Sequence, residues 1–192
     1  LKLEFAAFST PSKGVLIVFC EEGLKFGSDA RKVLASAGDL VDRAAATEHF
    51  KGKNAATLDI VAPAGLHVSR LVIVGVGKVR ELKELDFMKL GGVAMGKVPA
   101  AAADVTIVAD LPGGGAKPDQ AAELALGVRL RAYAFDRYKT KRKEGEENPK
   151  QVRVKIAVGD VAAVRKAYAA RDAVANGVIF ARDLVNEPAN IL

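Results

Sequence analysis

Short runs of β-branched and aliphatic residues recur along the chain, each closed by glycine, proline or charge, and they predict strands. Val15-Leu-Ile-Val-Phe-Cys20 lies between Gly14 and Gly23, Leu58-Asp-Ile-Val-Ala62 stops at Pro63, and Arg70-Leu-Val-Ile-Val-Gly75 runs into a glycine turn. Asp104-Val-Thr-Ile-Val-Ala109 and Val152-Arg-Val-Lys-Ile-Ala-Val158 follow, and the leading segment Leu1–Phe8 alternates as a strand does. Several of these runs are apolar at every position, the pattern of strands covered on both faces.

Helical spacing fills the intervals. Ser28 is placed to cap a helix over Asp29–Ala37 that Gly38 would stop. Glu84–Val98 carries Leu85, Met88, Val93 and Met95 on a loose face weakened by Gly91 and Gly92. Ala121–Tyr138 repeats Leu124, Val128, Ala132 and Phe135 at three- and four-residue intervals, and the longest helical signal runs from about Val161 to Val185. Strands alternating with helices predict an α/β fold, three layers deep, with a mostly parallel or mixed central sheet. Lys139–Gln151 is charged, contains Gly145 and Pro149, and reads as a surface loop within the domain.

Composition agrees. Hydrophobic residues make up 50% and charged residues 27% of 192, an ordinary globular balance. The formal charge of +6 admits an anionic partner. Yet the positives Arg137, Lys139, Lys141, Arg142 and Lys143 are followed at once by Glu144, Glu146 and Glu147, which points to a solvated loop. The single cysteine, Cys20, excludes an internal disulfide and fits a reducing cytosol. No apolar run approaches the roughly 20 residues needed to cross a bilayer, and the amino end lacks a signal peptide's layout. The expectation is a cytoplasmic chain.

Candidate chemistry is sparse. His49 and His67 have no H-x-x-x-H arrangement, and Cys20 ends a strand with no histidine nearby to activate it. Gly91-Gly-Val-Ala-Met-Gly96-Lys97 has phosphate-loop spacing, but Val98 stands where a hydroxyl would hold magnesium, and the segment lies within a helical pattern. Gly75-Val-Gly77-Lys78 reads as a tight turn. Asp110-Leu-Pro-Gly-Gly-Gly-Ala-Lys117 leaves a strand and enters a helix, so Gly113–Gly115 with Lys117 could equally hold an anion or serve as a flexible connection. Nothing here assembles an acid–base pair, a triad or a metal cage.

The tail Ala181-Arg-Asp-Leu-Val-Asn-Glu-Pro-Ala-Asn-Ile-Leu192 closely resembles the motif that opens the catalytic domain of leucyl aminopeptidases, the M17 metalloexopeptidases. Phe50-Lys-Gly-Lys53, Gly75-Val-Gly-Lys78 and Tyr133-Ala-Phe-Asp-Arg-Tyr-Lys-Thr-Lys141 resemble features of the same family's N-terminal domain, in the same order. The resemblance implies a macro-like, non-catalytic domain over residues 1–175. Residues 176–192 would then be the interdomain helix end and the first residues of the catalytic domain.

It further implies a hexameric enzyme that removes N-terminal residues, notably leucine, from peptides with two divalent ions, manganese or zinc. Those ions and every catalytic residue belong to motifs downstream of the tail, so no catalytic, cofactor-binding or metal-binding residue transfers to this chain. As part of such an enzyme the domain would serve assembly or substrate access. The alternatives are a macro-like module for ADP-ribose or a related nucleotide, and a DNA-binding role resting on the Lys139–Lys143 run. Physically, Asn186-Glu-Pro188 breaks the long helix. The apolar Val178, Ile179, Phe180, Leu184 and Val185 before it would suit burial against a following segment or against this domain's own sheet.

Overall fold

The computed structural model describes residues 1–138 and 151–188. The chain order is β1 (Lys2–Ala6), β2 (Val15–Glu21), β3 (Lys25–Phe26), α1 (Ser28–Leu34), α2 (Leu40–Thr47), β4 (Thr57–Val61) and β5 (Arg70–Gly75). It continues through α3 (Glu84–Gly96), β6 (Asp104–Val108), β7 (Asp110–Leu111), β8 (Gly114–Gly115), α4 (Pro118–Arg131), β9 (Arg153–Ala157) and α5 (Val161–Asn186). Each expected strand is present, with ends shifted by one or two residues. The expected Lys139–Gln151 loop falls almost wholly outside the described residues, as does the tail from Ala189 onward.

The main sheet runs β1-β9-β6-β2-β5-β4, with β3 paired to the end of β2. Neighbours from β1 to β5 are parallel, and β4 closes one edge antiparallel to β5. Period-two alternation divides β2 between two cores. Val15, Ile17 and Phe19 join the side chains of α3, α4 and α5 on one face. Leu16, Val18 and Cys20 join α1 and α2 on the other. All six are at most 1% exposed, so this central strand is covered on both sides, as its unbroken apolar run requires.

Three local features differ from the sequence-based expectation. Ser28 is the first residue of α1 rather than its cap. The cap is the carboxylate of Asp110, 81 residues away, whose Oδ2 accepts the Asp29 amide proton at 2.7 Å. Helix α2 lies outside the helices expected from the sequence; it is eight residues long and buries only Val41 and Ala45, four apart on one face. Helix α4 ends at Arg131, so residues 133–138 leave the helix.

The glycines that weaken the α3 pattern are a packing device. A Cβ on Gly91 would strike the Leu124 carbonyl, and a Cβ on Gly127 would strike the Met88 carbonyl, so α3 and α4 touch backbone to backbone. Gly92, one residue on, would meet only the Gly127 carbonyl oxygen at 4.0 Å. Adjacent glycines therefore have opposite roles. Gly91→Ala is expected to lower unfolding free energy by about 1–3 kcal/mol through overpacking. Gly92→Ala is expected to raise it by about 0.5–1 kcal/mol through helix propensity. Urea titration of the two variants checks the opposed signs.

Candidate functional site

The candidates of the sequence fall apart in space. His49 and His67 are both exposed, on separate turns, and among the described residues no three His, Cys, Asp or Glu side chains could hold a metal ion together. Cys20 is fully buried, and burial pushes its thiol up to about 12, which leaves it un-ionised. Gly91–Lys97 lies in and just beyond α3, as its helical pattern predicts. Gly75–Lys78 is a turn in which the Gly77 amide donates to the Gly52 carbonyl at 3.0 Å.

Gly113 and its neighbours form the turn of the β7–β8 hairpin and line a groove of about 610 Å³ with Lys25, Phe26 and Arg31. The nearby start of α1, where an anion would be drawn, already holds the Asp110 carboxylate. A Cβ on Gly27 would strike that carboxylate directly. The protein thus supplies its own anion there. Lys117 does not line the groove; its amide donates to Gln120 Oε1 at the start of α4. Neither feature favours a nucleotide, and the alternative reading finds no support in the relatives described below.

The polar side chains that do converge lie between α4 and α5. The two helices run side by side in the same direction and meet through charges. Arg171 Nε donates to Glu123 at 3.0 Å, its Nη2 to Glu84 of α3 at 3.0 Å, and its Nη1 pairs with Asp119 at 3.0 Å. Glu123 first, and then Asp119, raise the guanidinium above its ordinary pKa. Further along, Arg129 binds Asp172 and Asn176, and Arg182 donates to the Leu130 carbonyl at 3.0 Å.

The ladder ends in a junction. The Tyr133 hydroxyl donates to Asp183 Oδ1 at 2.8 Å while the Arg182 guanidinium lies 5.5 Å over the Tyr133 ring. Arg137 Nη1 reaches Glu187 at 3.2 Å and the Tyr138 hydroxyl donates to the same carboxylate. Burial and then the Asp183 bond raise the Tyr133 pKa; the bond to Glu187 raises that of Tyr138.

This contact joins two of the segments singled out by resemblance, Tyr133–Tyr138 and Arg182–Pro188. The other two also meet. Gly52 and Gly77 are hydrogen-bonded, and Gly75 has no room for a Cβ because the Lys53 carbonyl oxygen and Gly52 press against it. Of the expected basic run, Arg137 is ion-paired to Glu187, and the rest lies outside the described residues.

Comparison with known proteins decides the lineage. Residues 17–142 match the N-terminal domain of the cytosol aminopeptidase family. The chain belongs to that family.

Probable cytosol aminopeptidases of Nitrobacter winogradskyi and of Rhodopseudomonas palustris strain TIE-1 are 57% and 53% identical over 192 residues. Both alignments cover the whole chain but 38% of the relative, so the chain spans well under half the length of the relatives it matches. A tomato leucine aminopeptidase mutant shares the fold with TM-score 0.76 at 22% identity, covering 100% of this chain and 39% of that one. The bottromycin maturation enzyme BotP shares it with TM-score 0.62 at 21% identity, covering 93% and 34%. The M17 resemblance and the layered α/β fold are thus borne out.

Sequence analysis does not single out Arg171, Arg129 or Asp172, because charged residues on a helix ordinarily face solvent. The available signal was the clustering of Arg171, Asp172, Arg182 and Asp183 on one side of α5. Arg171→Met is expected to destabilise the chain by about 1–3 kcal/mol, because Glu123, whose side chain is 12% exposed, loses its partner. Adding Glu123→Leu should recover part of that loss in a double-mutant cycle. The Cys20 thiol should stay unreactive toward Ellman's reagent at pH 8 until denaturant is added. Its raised folded pKa stabilises the fold below about 9, the value when exposed, and that stability is lost as pH climbs toward 12.

Proposed function

We propose that this chain is the non-catalytic N-terminal domain of a two-metal leucyl aminopeptidase that removes N-terminal residues from peptides. The observation that carries the reading is the full-length alignment, at 57% identity, with a probable cytosol aminopeptidase of which the chain covers 38%. Chemically, hydrolysis by two ions needs carboxylates around both to fix an attacking water and polarise the carbonyl. The acids that converge among the described residues serve structure instead: Asp110 a helix start, and Glu123, Asp172, Asp183 and Glu187 the α4–α5 contact.

Residues 1–175 are the non-catalytic unit in this reading, and 176–192 lead into the catalytic domain, which would hold manganese or zinc. The domain acts in assembly, within a cytoplasmic hexamer, or in substrate access, and holds no catalytic, cofactor or metal-binding residue of its own.

Purified 1–192 is expected to give no turnover of a leucyl chromogenic substrate with manganese or zinc added. The longer protein should turn it over, lose activity to a chelator and regain it with metal. Metal-dependent turnover by 1–192 itself would overturn the assignment.

A further inference from the structure

The contact that holds α5 uses its polar side, so its apolar side faces outward. Val174 is 55% exposed, Phe180 64%, Leu184 43% and Val185 85%. With Gly177 and Ala181 they recur at three- and four-residue intervals and form one stripe along the second half of the helix. Val178 and Ile179, also singled out in the sequence, are half-buried, and none of these six large hydrophobic residues joins either core. From Ala173 to Ala181 there is no charged residue. By contrast, the first half of α5 is seated normally, with Val164 buried and Tyr168 edge-on to Phe5 at 5.2 Å.

Gly177 is a second and independent sign. It sits at an exposed position in the middle of a helix, where glycine is destabilising relative to alanine. Among the described residues, nothing beyond the adjoining turns of its own helix lies within 4 Å of where its Cβ would be. Gly91 and Gly127 are explained by the helix each touches; Gly177 faces open space. A missing side chain in an apolar stripe admits close approach by another surface.

We propose that this stripe is the docking surface for the catalytic domain of the same polypeptide, with Gly177 at the point of closest approach. This rests on the reading above. The relatives extend well beyond the aligned region, and the chain leaves α5 through Glu187-Pro188, at the end of the stripe. A domain tethered there meets the stripe at high effective concentration, which favours it over a second copy in solution. The Tyr133–Asp183 and Tyr138–Glu187 bonds fix the direction in which the chain departs.

The test compares 1–192 with the longer protein by hydroxyl-radical footprinting and thermal melting. In 1–192, Phe180 and Leu184 should oxidise as readily as exposed Leu85; in the longer protein they should fall to the level of buried Phe87. Gly177→Leu should leave or raise the melting temperature of 1–192 and lower that of the longer protein while restoring Phe180 oxidation. Equal oxidation of Phe180 and Leu184 in both proteins, with the longer one active, would overturn the docking while sparing the family reading. Protection already present in 1–192 and lost on dilution would also overturn it, in favour of self-association. If the longer protein shows no metal-dependent turnover, the proposed function fails, and the footprint still decides the docking.

Discussion

Arg171 ties together the helical layer that covers one face of the sheet. Its guanidinium meets Glu84 of α3 and both Asp119 and Glu123 of α4 from a position on α5. A planar cation with five donors suits three carboxylates arriving from different elements better than an ammonium would. The α3–α4 pair beneath is set by backbone contact at Gly91 and Gly127, which permits no side chain between the helices. Given that spacing, Arg171 and Arg129 determine how α5 is rotated about its own axis.

That rotation inverts the usual arrangement. A helix over a finished domain buries its apolar stripe and solvates its charges. Here the second half of α5 directs Asp172, Asp183 and Arg182 toward α4 and turns Phe180 and Val185 outward. Pairing partly exposed ions adds little stability in itself. Its effect is directional, since rolling the stripe inward would leave Glu123, whose side chain is 12% exposed, without its Arg171 partner. The same contact brings Tyr133–Tyr138 against Arg182–Glu187, so two segments distant in sequence form one structural feature.

The layered fold was legible because β2, β5 and β6 are buried on both faces and must read as continuous apolar runs. Helix α2 was not, since its eight residues bury only Val41 and Ala45, too short a repeat to stand out. The cap of α1 was misassigned to Ser28 because capping rules search locally, whereas Asp110 arrives through the tertiary fold. The end of α5 was legible from Pro188 and its start from the helical spacing that begins near Val161, but its orientation was not. Periodicity finds an apolar face without revealing whether the partner of that face lies in the same chain. The resemblance located the motif segments; only the structure brings them together in pairs.

Native-state hydrogen exchange on 1–192 tests the central claim most directly, namely that charge contacts with α4 orient the second half of α5. Arg171→Met should deprotect amides from about residue 171 to 186 by clearly more than the fall that lowered global stability imposes on β2 and β5. Unchanged protection of α5, or a uniform loss across the sheet and every helix, would contradict it.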